Sequence, residues 1–137
     1  MQDPYSVARY FLEKSFQKDD MTPMKILKMV YLAHGWHLGL TNKPLINEPV
    51  QAWKYGPVIP SLYYELRKYV KTLVPKDEFA YSPDINDKGG LLAFLDRIWQ
   101  LYSSYNGLQL STLTPIVTGK HANSSFGTRV FTNFLSS

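Results

Sequence analysis

The sequence predicts a mainly α, compact helical domain with a small β-hairpin or short strand insertion around residues 44–58. Three observations predict it. Apolar residues recur at helical spacing in separated stretches. A capping residue is followed directly by proline at Asp3-Pro4 and again at Thr22-Pro23, the local grammar of a helix start. Between Asn42 and Pro60 the helical period stops and a short alternation replaces it. A chain of 137 residues, 45% hydrophobic and 15% aromatic, is sized for one core, so a single domain over 1–137 is expected. The segment after 115 is the part whose pattern specifies least.

The first helix is expected from Pro4 to near Lys18, with Asp3 as N-cap and Val7, Ala8, Phe11 and Leu12 along one face. Asp19 and Asp20 break that pattern before Thr22-Pro23 opens a second helix over about Met24 to Leu40. Met24, Leu27, Val30, Tyr31, His34 and Leu38 form a stripe, and Ile26, Met29, Ala33 and Trp36 add apolar surface on other sides. Such a helix is buried on several sides and sits at the centre of the fold, with Lys25 and Lys28 among the few residues expected to keep it in contact with water. Next, Pro44, Pro49, Gly56 and Pro57 punctuate a stretch in which Val50, Ala52 and Lys54 alternate with Gln51, Trp53 and Tyr55, as in a short strand.

Pro60-Ser61 opens a third helix carrying Leu62, Tyr63, Leu66 and Tyr69 to about Val70. Lys71 to Asp87, polar and proline-containing, is the best candidate for a mobile loop. A fourth helix should start near Asp87 as its cap and carry Leu91, Leu92, Leu95, Ile98, Trp99 and Tyr102, with Asn106-Gly107 as its stop. Ser111 is placed as the cap of one more turn, Thr114-Pro115 interrupts, and Val130, Phe131, Phe134 and Leu135 suggest a short terminal helix or strand.

The absence of cysteine removes disulfides and thiolate zinc sites. The N-terminus has no basic, then apolar, export pattern, and no run reaches the roughly 18 apolar residues of a spanning helix, so a cytoplasmic protein with no membrane partner is expected. In that setting the sequon Asn123-Ser124-Ser125 has no consequence. The net charge is +4, but the cations are scattered. Their densest group, Arg67, Lys68 and Lys71, reads as a solvated helix end matched to the helix dipole. No arginine-rich run, zinc finger or RNP-type motif points to nucleic acid.

His34 and His37 are spaced to share a metal, and His121 and Glu48 are the candidates for a third ligand. No H-E-x-x-H pattern accompanies them, so structural histidines are the expected reading and a metal-dependent hydrolase using His34, His37 and His121 the alternative. Thr118-Gly119-Lys120-His121 matches only the end of a phosphate-binding loop, since Thr114 stands where the first glycine is required and His121 replaces the magnesium-binding hydroxyl. None of Ser61, Ser111 and Ser124 lies in a nucleophile elbow. Glu48, Glu65 and Asp96 read as ordinary surface carboxylates. The most unusual stretch is Ala52-Trp53-Lys54-Tyr55-Gly56-Pro57-Val58-Ile59-Pro60, in which two large aromatics flank a lysine ahead of a tight glycine-proline turn. Rigid aromatics with polar handles suit a protein interface, and the same side chains could equally pack on the central helix; the two faces of an alternating strand allow one of each.

The residues Thr22-x-x-Lys25-Ile26-Leu27-Lys28-Met29-Val30-Tyr31-Leu32-Ala33-His34-Gly35-Trp36-His37-Leu38 are followed by Lys43-Pro44-Leu45, Glu48-Pro49-Val50, Ala52-Trp53-Lys54-Tyr55-Gly56-Pro57-Val58 and Pro60-Ser61-Leu62-Tyr63. Together they resemble the Panacea domain, the SocA-like antitoxin family once grouped as phage-associated GepA-like proteins. The resemblance is dense from Tyr5 to about Tyr69 and continues more weakly from Leu91 to Leu113. It implies a mainly helical domain that binds a cognate toxin protein and neutralises it by direct complex formation, often from a two-gene operon or a prophage. One branch of the family is an adaptor that delivers its toxin to a cellular protease. The resemblance carries no catalytic residue, and no cofactor is expected. Trp53, Tyr55 and Pro57, with His37 near the end of the central helix, are the expected partner-binding residues. A DNA-binding prophage regulator is a further alternative. Where the family continues Leu-Ser-x-Leu-Thr-His and then a tryptophan-containing segment, this chain has Leu110-Ser111-Thr112-Leu113-Thr114-Pro115 and no later tryptophan. Its C-terminal part is thus either shaped for a different partner or degenerate.

Overall fold

A computed structural model describes residues 1–15, 21–54, 56–70 and 72–113. The elements run α1 (Pro4–Lys14), α2 (Pro23–Thr41), β1 (Gln51–Trp53), β2 (Gly56–Val58), α3 (Pro60–Leu66) continued by a 3-10 turn (Arg67–Tyr69), α4 (Leu91–Tyr102) and α5 (Gly107–Leu113). The two strands pair antiparallel, Gln51 with Val58, Ala52 with Pro57 and Trp53 with Gly56. The expected mainly α fold with a small hairpin is what forms. Tyr55, His121, the interruption at Thr114-Pro115 and the element expected at Val130 to Leu135 lie outside the described residues.

Local signals explain the first two helices. The Asp3 carboxylate accepts from the Tyr5 amide at 2.8 Å, and Pro4 occupies the first turn, where no amide is needed. α1 ends at Lys14, before the expected Lys18, because Ser15 folds back: its amide reaches the Phe11 and Leu12 carbonyls and its hydroxyl donates to the Leu12 carbonyl at 2.7 Å. The Thr22 hydroxyl accepts from the Lys25 amide at 3.2 Å. α2 stops at Asn42, whose left-handed φ of 59° turns its amide back to the Leu38 carbonyl.

α2 is the central element, packed against α1, α3, α4, α5 and β2. Its residues Met29, Val30, Tyr31, Leu32, Ala33 and Trp36 are buried, together with Phe11 and Leu12 of α1 and Leu95 and Ile98 of α4. Lys25, expected to face water, is instead 1% exposed. Its ammonium donates to the Ser103 carbonyl at 2.7 Å and lies 5.9 Å from the centre of the Trp99 ring. Ser103 closes α4, so the cation meets an orphan carbonyl at the negative end of a helix.

Four other expectations are corrected. α4 begins at Leu91, not near Asp87, because Gly89 and Gly90 both take positive φ; the Asp87 carboxylate still accepts from the Leu92 amide at 2.8 Å across that turn. Asn106-Gly107 is not the stop of α4 but the start of α5. The Asn106 side chain accepts from the Gln109 amide and the Gln109 side chain from the Asn106 amide, both at 2.8 Å, a reciprocal capping box. Ser111, expected as a cap, lies inside α5 with its hydroxyl on the Gly107 carbonyl at 3.0 Å. The stretch from Lys71 to Asp87, expected as the best candidate for a mobile loop, is anchored over its described residues 72–87. Val74 and Phe79 are buried, Phe79 stacks on Tyr5 at 5.0 Å, the Val74 amide donates to Met21, and Ser6 and Arg9 donate to the Pro83 and Ser82 carbonyls.

At Gly107 a Cβ would stand 2.9 Å from Met24 Cβ and 3.0 Å from the Lys25 backbone nitrogen. The close approach of α5 to the start of α2 therefore requires a residue without a side chain. Gly107→Ala is expected to lower stability by about 1–2 kcal/mol, net of the helix preference of alanine. Urea unfolding checks this: an unchanged midpoint would contradict the close approach.

Candidate functional site

The site is built where the hairpin and α3 meet the first turns of α2. Gly56 opens β2 with φ of 118°, a conformation closed to most residues, and the position its Cβ would take is 3.6 Å from the Lys28 ammonium. That contact distance is an ordinary one, so it is the backbone conformation at the turn into β2 that calls for glycine. Pro57, buried in β2, needs no ladder amide in a two-stranded hairpin. Pro60 starts α3 behind Ile59, which offers no side-chain cap. Glu48 supplies it: its carboxylate accepts from the Ser61 amide at 2.8 Å and from the Ser61 hydroxyl. Glu48 is thus neither an idle surface carboxylate nor free to hold a metal; it fixes the entry angle of α3.

These elements enclose a groove of about 380 Å³. Met24, Leu27 and Lys28 line its α2 side, Pro57, Val58 and Ile59 its hairpin side, and Tyr63, Leu66 and Arg67 its α3 side. An aromatic cluster forms the rim. Trp53 meets Tyr63 edge-on at 5.0 Å and Tyr64 at 6.0 Å, and Arg67 lies 5.2 Å over the Tyr64 ring. The Trp53 indole N–H donates to the Gln51 side chain at 2.9 Å. Met24 and Val70, which line the groove, remain 47% and 78% exposed, and Tyr64, beside Tyr63, 55%.

Of the four expected partner-binding residues, Trp53 and Pro57 come together here, and Tyr55 lies outside the described residues. His37 stands apart, about 14 Å further along α2 than Lys28 at the rise of a helix. Its Nδ1–H donates to the Lys43 carbonyl at 2.7 Å and its ring meets Phe94 edge-on at 5.8 Å, so it fastens the end of α2 to the following loop and to α4. Lys28, Tyr63, Tyr64 and Arg67 were not anticipated. The doublet Tyr63-Tyr64 with Arg67 one turn on was the available signal, since residues three apart share a helix face.

His34 is 7% exposed, and its Nδ1 accepts from the Leu45 amide at 3.2 Å. Burial, with the nearby His37 as a second cause, pushes its pKa down to about 4. It is a neutral imidazole that holds the chain after α2. Among the described residues no group of three His, Asp or Glu is arranged to hold a metal. Also among the described residues, no helix is long and apolar enough to cross a membrane.

A depressed histidine pKa gives a definite pH dependence. Below about pH 6.5 the unfolded chain takes up a proton at His34 that the folded chain refuses until about pH 4, so folding weakens across that window. The loss is on the order of 3 kcal/mol at its lower end. The stability advantage of the wild type over His34→Gln, measured by thermal unfolding, is expected to shrink from pH 7 to pH 4. A pH-independent difference would contradict the neutral, buried imidazole.

Comparison with known proteins places this geometry. The sequence model of the family described as antitoxin SocA-like, Panacea domain, matches residues 26–115, from the second turn of α2 past the end of α5. The antitoxin SocA of Caulobacter vibrioides (strain NA1000 / CB15N) is 38% identical over 68 residues, 45% of this chain and 36% of that protein. The match thus spans about a third of that relative's length. No solved structure matches the chain significantly.

Proposed function

Because the chain belongs to the SocA-like antitoxin family of Panacea domains, we propose that it is an antitoxin-type module that binds a cognate toxin protein and holds it inactive in a direct complex. The observation that carries this reading is the apolar groove between α2, the hairpin and α3, with Trp53, Tyr63 and Tyr64 along its rim. Aromatic side chains of this kind desolvate large areas on contact and lose little rotamer freedom in doing so. The aromatic cluster is preorganised by ring contacts among its own members, which reduces the ordering that binding would otherwise demand. The family match covers the hairpin, α3 and all of α2 but its first turn. No catalytic group or cofactor enters the reading. Delivery of the bound toxin to a cellular protease is the adaptor form of the same function and would show as a shortened toxin lifetime.

The test is expression of the adjacent gene product alone and together with this chain. The expected result is growth arrest with the partner alone, rescue with both, and a complex that co-purifies. A harmless partner and no complex would overturn the reading. Within the complex, Tyr64→Ala is expected to weaken affinity about tenfold or more while leaving the unfolding midpoint in place, because Tyr64 is largely exposed. His37→Ala is expected to lower stability and leave affinity unchanged. The reverse pattern would move the contact to the far end of α2.

A further inference from the structure

Lys28 is set into the apolar wall of the groove, yet among the described residues its ammonium makes no hydrogen bond or ion pair. Burial alone pushes its pKa down, with no opposing partner to raise it. The other lysines packed against the fold are treated differently: Lys25 meets the Ser103 carbonyl, Lys14 meets Asp96, and Lys68 meets Glu65 and Glu78. Arg67 lines the same groove and rests on the Tyr64 ring, with no carboxylate partner among the described residues. No Asp or Glu lies among the residues that line the groove. The face therefore presents two cations in apolar surroundings, one of them partly stripped of water.

We infer that the groove seats an apolar segment of a partner protein carrying an Asp or Glu side chain, which pairs with Lys28. The inference rests on the partner-binding reading of this face and adds the chemistry of what binds there. A lysine already partly desolvated gives up little further hydration when a carboxylate arrives, so the pairing gains more than it would on an open surface. Charge selects among the possible occupants. Residues 114–137 follow α5, whose Ser111 lines the groove, but they contain no Asp or Glu and carry Lys120 and Arg129. A second copy joined through the same face would set a groove lined by Lys28 and Arg67, with no Asp or Glu in its lining, against another of the same charge. Both occupants bring like charge; an acidic, apolar partner segment brings the opposite one.

The inference is tested with a displayed library of random peptides, selected on the folded chain carrying Lys28, Lys28→Arg or Lys28→Met. The Lys28 and Lys28→Arg proteins are expected to enrich peptides in which apolar residues surround an Asp or Glu. The affinity of a selected peptide is expected to fall at least about tenfold on Lys28→Met. That variant removes a desolvated charge while keeping most of the side chain's apolar length, so its unfolding midpoint should hold or rise. Enrichment of peptides without an acid, equal affinity for Lys28→Met, competition by a peptide of residues 114–137, or no enrichment at all would overturn the inference. The selection is independent of the growth assay, so a harmless neighbouring gene product would sink the antitoxin reading without altering this outcome.

Discussion

A helix that is apolar around nearly its whole circumference cannot lie on a surface, and the rest of this structure follows from that constraint on α2. Met29, Val30, Tyr31, Leu32, Ala33, His34, Gly35 and Trp36 are buried in unbroken succession, and α1, α3, α4, α5 and β2 are the covers that make this possible. Burying each large apolar side chain contributes about 1.5–3 kcal/mol, against about 1 kcal/mol for a typical hydrogen bond. Hydrophobic cover therefore sets the arrangement of helices, and the polar contacts set its register. Lys25 fixes the start of α2 against the end of α4 through Ser103, and His34 fixes the chain after α2 through the Leu45 amide. Gly107 then brings α5 within contact of Met24 and Lys25.

The cover is incomplete over one side of the first turns of α2, and the groove lies there. Ile26, Met29 and Val30 are closed over, while Met24, Leu27 and Lys28 are left to line a cavity against the hairpin and α3. The hairpin turns into β2 at Gly56, whose positive φ sets its course beside Lys28, and Glu48 fixes where α3 begins. The same features that complete the burial of α2 thus shape the face proposed to meet a partner. Its aromatic rim and its two cations are two sides of one design: shape and area from Trp53, Tyr63 and Tyr64, charge from Lys28 and Arg67.

Elements announced by short-range chemistry were legible in the sequence. Asp3-Pro4, Thr22-Pro23 and the hairpin around Gly56-Pro57 carry their signals within a few residues and fold as those signals direct. The start of α5 was legible too, since Gln109 stands three residues after Asn106, but a glycine beside an asparagine equally resembles a helix end. What local pattern could not show is convergence over long separations. The burial of Lys25 depends on Ser103, 78 residues away, and the anchoring of Phe79 depends on Tyr5. For the same reason Trp53 and Pro57 stood out by composition alone, whereas Lys28 and Arg67 acquire meaning only when the hairpin folds over α2. Histidine spacing was misleading in a different way: His34 and His37 share a helix, yet each commits Nδ1 to a separate backbone group.

Amide hydrogen exchange on the chain, free and in complex with the toxin proposed as its partner, tests the proposed binding face most directly. The account predicts new protection in the first turns of α2, the hairpin and α3, with α1 and the end of α2 near His37 unchanged. Protection confined to α1, α4 or the His37 end of α2, with the hairpin and α3 exchanging as in the free chain, would contradict it.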